Sequence, residues 1–149
     1  MDDVDAKLLA AVQETFPVTS RPFLELGKAL EISEKEVMER LETLQKEGLV
    51  RRIGPILDLR RLGLSGVLVA LKIEEEEADT AAEVVNQYAE VSHNYLRPNE
   101  SGYNLWFTVS ASEERIREIL HEIGNLTGRK MLILPTTRIF KIGVKFDII

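Results

Sequence analysis

Cysteine is absent from the chain, which excludes disulfides, thiolate nucleophiles, zinc-thiolate sites and cysteine-ligated iron–sulfur clusters. No apolar run reaches the roughly 18 residues that a transmembrane helix requires. The opening MDDVD is acidic where a secretory leader is basic. Together these point to a cytoplasmic protein with no membrane partner. Positive charge is not in excess either. The net charge of -6 speaks against a nucleic-acid binder, whose affinity for phosphate comes mainly from clustered Lys and Arg. There is no Gly-rich phosphate loop, no H-E-x-x-H and no G-x-S-x-G nucleophile elbow. What is present is 149 residues, 44% apolar and 30% charged, enough for one ordinary domain or two small ones with a core that needs no staples.

The first fifty residues alternate helical patterns with breakers. In VDAKLLAAVQETF, the apolar positions Val4, Leu8, Ala11, Val12 and Phe16 keep helical spacing, and Pro17 lies beyond the end. Ser20 is placed to cap a second helix from about Pro22, with Phe23, Leu26, Leu30 and Ile32 on its buried side. Ser33 and Glu36 form an S-x-x-E capping box for a third, with Val37, Leu41 and Leu44 as its stripe and Gly48 as its stop. LVRRIGPILDL follows as two short extended pieces broken at Gly54-Pro55, a small wing. The unit reads as a winged helix-turn-helix over residues 1–63.

From Leu64 the pattern changes. GVLVALKIE is a buried-strand run, and a helical pattern follows through Ala78, Ala81, Ala82, Val85 and Tyr88. EVSHNYLR and YNLWFTVSA, separated by PNESG, pair as a hairpin. Ser112 begins a helix carrying Ile116, Ile119, Leu120, Ile123 and Leu126 that Gly128 ends, and a last strand region starts near Lys130. The order β-α-β-β-α-β is that of a ferredoxin-like fold over residues 64–149, so the fold class is α+β.

A helix-turn-helix reads DNA with its second motif helix, which then carries basic or amide residues outward. Here SEKEVMERLETLQKEG holds five glutamates against Lys35, Arg40 and Lys46, and residues 1–48 carry eleven acidic and six basic side chains. DNA binding is therefore not expected of this unit, although Arg51 and Arg52 in the wing keep that reading open. In the hairpin, alternation sends His93, Tyr95 and Arg97 to one side and Asn94 and Leu96 to the other. On the facing strand Tyr103, Leu105, Phe107 and Val109 oppose Asn104, Trp106 and Thr108, and the register decides which set joins the histidine. At the end of the chain, Phe140, Ile142, Val144 and Phe146 alternate with Lys141, Gly143, Lys145 and Asp147, giving a core side and a cationic side. Taken singly, each feature has an ordinary reading. His93 suits a strand surface, Tyr95 and Trp106 suit sheet packing, and Lys141 and Lys145 suit an edge strand.

The whole arrangement resembles the Lrp/AsnC family of transcription factors along the full chain. Four strings resemble a particular branch of that fold: RRIGPILDLRRLG at 51–63, VSHNYLR at 91–97, YNLWFT at 103–108 and LPTTRIFKIGVKFD at 134–147. These are similar to siroheme decarboxylases, and HNYLR followed by YNLWFT is closer to the alpha-type than to the beta-type subunit. Gly54-Pro55 departs from the Gly-Ala that family members tend to carry after the paired arginines.

The resemblance implies removal of carbon dioxide from two acetate side chains of siroheme, in alternative haem or haem d1 synthesis. It implies no cofactor besides the tetrapyrrole bound as substrate or product, and a related beta-type subunit as partner. It implies His93 and Tyr95 as catalytic residues, with Arg51, Arg52, Arg97, Trp106, Arg138, Lys141 and Lys145 binding the substrate. No protein-bound metal is implied, although His93 as a haem iron ligand stays open. So do two other readings, an Lrp/AsnC-type regulator and a haem-binding partner without catalysis of its own.

Overall fold

Ser33 accepts a hydrogen bond from the Glu36 backbone N–H at 3.1 Å and so satisfies one of the donors that a helix start leaves without a partner. The expected capping box forms only in this direction, because Arg40 takes the Glu36 carboxylate one turn further on. In the computed structural model, which describes residues 1–14, 16–140, 146 and 148, the helix so begun is α3 (Glu34–Lys46). It follows α1 (Asp3–Glu14) and α2 (Pro22–Leu30). Ser20 does not cap α2. Arg21 occupies that position without a side-chain bond, and Pro22 opens the helix where its missing N–H would have had no helical partner.

The apolar stripes meet as expected. Leu8, Leu9, Leu26, Val37, Leu41 and Leu44 form one buried cluster, with Phe16, Phe23, Leu30 and Ile32 packed on it. Gly48 leaves α3 at φ +76°, a left-handed conformation in which other residues are strained. The expected wing is absent as a pair of strands. Residues 50–58 carry no strand, and 51–58 are exposed. Pro55 has no N–H for a ladder, so the segment runs on without pairing.

The described residues divide into two units, Met1–Ile56 with Phe146 and Ile148, and Leu57–Phe140. In the second, a 3-10 turn at Leu59–Leu62 leads into β1 (Ser65–Lys72), α4 (Ala78–Val85), β2 (Val91–Leu96), β3 (Tyr103–Ala111), α5 (Glu113–Thr127) and β4 (Met131–Pro135). The sheet order is β2-β3-β1-β4, antiparallel throughout, which is the ferredoxin-like arrangement. Val69, Leu71, Leu105, Phe107 and Val109 on one face of the sheet pack against Ala81 and Val85 of α4 and Ile116, Ile119 and Ile123 of α5. The opposite face has no helix of this unit on it.

The C-terminal residues depart from the sequence reading, which divided the chain after residue 63 and gave everything beyond it to the sheet. Leu57–Leu64 go with the sheet unit, whereas Phe146 and Ile148 go with the helices. The Gln13 side chain pairs with the backbone of Phe146, donating from Nε2 to the carbonyl at 3.3 Å and accepting from the N–H at 2.9 Å. Ile148 packs on the helical core. The fourth strand lies at Met131–Pro135, and Phe140, read as a core residue, is exposed. Most of the expected alternation at 140–147, Lys141 and Lys145 included, lies outside the described residues.

Phe107 is fully buried at the centre of the sheet–helix core. Phe107→Ala should cost about 3–5 kcal/mol, read by denaturant unfolding followed through Trp106, its neighbour in β3. An unchanged midpoint would mean that this core does not hold the sheet together.

Candidate functional site

Strict alternation would put Val91, His93, Tyr95 and Arg97 on one face of β2. The ladder to β3 is interrupted. Val91 stands opposite Val109, His93 opposite Thr108, Asn94 opposite Phe107 and Tyr95 opposite Trp106. Ser92 is the extra residue of a bulge, so Val91 joins the helix-side core while His93 and Tyr95 lie on the open face. The register thereby joins the histidine to the Trp106–Thr108 set. Asn94 turns the other way, where its Nδ2 donates to Asn86 Oδ1 at 3.0 Å.

On the open face the side chains form a row. The His93 and Tyr95 rings stack with centroids 6.0 Å apart and planes at 30°. The Arg97 guanidinium carbon lies 5.2 Å from the centre of the Tyr95 ring, within the range of a cation–π contact. Beside them, Trp106 donates from Nε1 to the Tyr103 carbonyl at 2.8 Å. The His93 Nδ1 lies 2.9 Å from Ser92 Oγ and 3.4 Å from Thr108 Oγ1, and the two hydroxyl oxygens are 2.8 Å apart. His93, Tyr95 and Arg97 are all exposed.

The hairpin is held at both ends. At its tip Asn99 donates to the carbonyls of Tyr103 at 2.6 Å and Arg97 at 3.3 Å, and accepts from the Ser101 N–H at 2.9 Å. Gly102 closes the turn at φ +76°. At its base Arg115 donates to the Glu90 carboxylate at 2.8 Å and holds that carboxyl below its ordinary range by this hydrogen bond. Tyr88 donates to Glu122 at 2.9 Å, and burial, helped by that carboxylate, raises its phenol pKa.

The rest of the open face is aliphatic. Trp106 stands opposite Ala70, and Ala70 opposite Leu132; Thr108 stands opposite Leu68, and Leu68 opposite Leu134. Leu68, Leu132 and Leu134 are 38%, 37% and 40% exposed. GVLVALK and MLILP carry the signal of this surface in the sequence. A strand without alternation is apolar on both faces and is built to be covered on both. No motif singles out Ser92 or Thr108; only the register brings them to His93.

Of the residues singled out in the sequence, His93, Tyr95, Arg97 and Trp106 come together on one face of the hairpin. Arg138 leaves from β4, the opposite edge of the sheet, and its guanidinium carbon lies 4.6 Å from the centre of the Phe140 ring. Arg51 and Arg52 are in the other unit. There they line a cavity of about 1030 Å³, with Leu9, Val12, Phe16 and Ile53 among its apolar walls.

All three cations of α3 are engaged by carboxylates, Lys35 by Glu39, Lys46 by Glu42, and Arg40 by Asp2, Asp5 and Glu36. Arg40 holds the Asp2 carboxyl down at about 2. Among the described residues no cluster of three His, Asp or Glu could hold a metal ion, and no helix is long and apolar enough to cross a membrane.

Two family models match the chain: the siroheme decarboxylase NirDL-like HTH domain over residues 5–51 and the AsnC-like ligand binding domain over residues 61–141. The siroheme decarboxylase alpha subunit of Desulfovibrio desulfuricans is 40% identical over 147 residues, covering 98% of this chain and 84% of that one. The siroheme decarboxylase NirDL, solved in co-complex with an iron-uroporphyrin III analogue, aligns with a TM-score of 0.66 at 31% identity, over 89% of this chain and 44% of that one. The leucine response regulatory protein LrpA of Mycobacterium tuberculosis aligns with a TM-score of 0.79 over 99% of both chains, but at 19% identity, a likeness of fold alone.

Because Asn99 satisfies several exposed backbone groups at the hairpin tip, Asn99→Ala should cost about 0.5–1.5 kcal/mol and speed amide exchange at residues 97–104. Unchanged exchange there would show that Gly102 and the ladder suffice.

Proposed function

Because the chain belongs to the siroheme decarboxylase family, we propose that it is an alpha-type subunit, a cytoplasmic carboxy-lyase. It removes carbon dioxide from two acetate side chains of siroheme to give 12,18-didecarboxysiroheme in alternative haem or haem d1 synthesis. The observation that carries this reading is the row of His93, Tyr95 and Arg97 beside Trp106 on the open face of the sheet. A flat macrocycle rimmed by carboxylates calls for aromatic walls, cations and a proton donor, and that face offers all three.

Each residue has a task that its chemistry suits. Arg97 and Arg138, both in the sheet unit, grip carboxylates that do not react. An arginine fork donates two parallel hydrogen bonds to a carboxylate. Holding the reacting acetate equally tightly would stabilise the ground state and slow its loss. Tyr95 and Trp106 bound the macrocycle.

In the reaction the bond between the acetate methylene and its carboxylate breaks and carbon dioxide leaves. The electron pair stays on the methylene carbon, spread into the macrocycle, until a proton from His93 completes a methyl group. Tyr95 assists through its hydroxyl. The tetrapyrrole is its own electron sink, so no further cofactor is required.

The aliphatic half of the open face suits a related beta-type subunit packed sheet against sheet, which would bring a second hairpin to the same substrate. DNA is a poor partner, because the cations of α3 are already matched by carboxylates and a phosphate backbone would meet glutamates.

The test is anaerobic incubation of siroheme with this chain, alone and with a beta-type subunit, followed by mass spectrometry of the tetrapyrrole. Loss of two carbon dioxide units is the expected result. An unchanged tetrapyrrole, with retardation of promoter DNA by the chain, would establish the regulator instead. His93→Ala should lower turnover by about a hundredfold to ten-thousandfold with siroheme still bound. If the variant loses the bound-haem spectrum instead, His93 is an iron ligand.

A further inference from the structure

The bulge at Ser92 does more than turn His93 outward. In an unbroken strand Ser92 would point to the helix side, opposite to His93. With two residues facing the single Thr108, its hydroxyl instead lies 2.9 Å from His93 Nδ1 and 2.8 Å from Thr108 Oγ1. Nδ1 thus meets a pair of hydroxyls, while no protein partner of Nε2 appears among the described hydrogen bonds.

We propose that Ser92 and Thr108 are positioning residues that fix His93 with its proton on Nδ1, leaving Nε2 as the nitrogen that delivers the proton. The inference rests on the reading of His93 as the proton donor and deepens it.

Either hydroxyl can donate or accept, so the direction of these bonds is set by the protonated ring. An imidazolium donates from both nitrogens, so Nδ1–H donates to Ser92 Oγ and the Ser92 hydroxyl donates in turn to Thr108 Oγ1. When Nε2–H gives up its proton, the ring is left neutral and in the Nδ1–H form. Every bond on the Nδ1 side stays as it was, and nothing in the protein has to reorganise during the transfer. Ring stacking on Tyr95 fixes the plane, and the hydroxyl pair fixes the rotation about it. A serine alone could turn away. Thr108, with a branched side chain that restricts its rotamers, holds Ser92 in place.

The chain has only two histidines, which makes the test direct. His121 makes its contact through Nε2, to the Asn125 side-chain amide at 3.0 Å on α5, and serves as an internal control. Ring nitrogen-15 NMR of the chain, with His93 assigned as the signal lost in His93→Ala and kept in His121→Asn, should show neutral His93 as the Nδ1–H tautomer. Ser92→Ala with Thr108→Val should release it toward a mixture and leave His121 unchanged.

In the complex with the beta-type subunit, the double variant should lose roughly tenfold to a hundredfold in turnover, with little change in KM and a displaced pH–rate profile. Ser92→Thr should recover most of the loss. A tautomer that is the same in wild type and double variant overturns the inference. If the tautomer is released while His93→Ala retains full turnover, the role of His93 as acid is wrong, and the hydroxyl pair serves the hairpin and not the reaction.

Discussion

The pairing register between β2 and β3 is the constraint on which the site depends. Because side chains alternate with a period of two, one residue gained or lost in the ladder exchanges the faces of everything beyond it. The single extra residue at Ser92 lets Val91 fill the core while His93 and Tyr95 stand on the opposite face. It also brings Ser92 and Thr108 to the same imidazole nitrogen. The tip of the hairpin is braced by Asn99 and its base by the Arg115–Glu90 pair. The row of His93, Tyr95 and Arg97 is therefore carried on ladder hydrogen bonds, and its geometry follows from the sheet more than from the exposed side chains themselves.

Charge is divided between the two units with a similar economy. On α3 each cation faces carboxylates one turn away or on α1, so the helix that would enter a DNA groove presents a balanced to acidic surface. In the sheet unit Arg97 and Arg138 lie against aromatic rings. A guanidinium stacked on a ring keeps its in-plane N–H groups free to reach an anion. The likeness of this chain to LrpA is one of shape, and its charge pattern is its own.

The aliphatic patch of Leu68, Leu132 and Leu134 adjoins the aromatic one across β1 and β3. A ferredoxin-like sheet with helices on one face leaves its other face to water, to ligand or to another chain. Here that face is apolar on the β1–β4 half and aromatic and polar on the β2–β3 half. On the proposed reading, the rings would face the macrocycle and the leucines the second subunit.

Much of this was legible in the residues alone. Helical spacing located α1, α2, α3, α4 and α5; Ser33 and Ser112 marked two starts; PNESG marked the hairpin; and four short strings carried the family. These are local signals, set by which side chains lie within one turn or one strand of each other. The rest was decided between residues far apart in sequence. Neither the bulge nor its hydroxyl pair can be read from SHNYLR, because Ser92 acquires its neighbour Thr108 only once the register is chosen. The destination of the C-terminal residues rests on Gln13, 133 positions away from Phe146. The residues alone carried the helices, the hairpin and the family, but neither the wing nor the end of the chain. The tertiary structure decided which face each side chain took and which atoms met there, since alternation along a strand says nothing about a residue inserted opposite another strand.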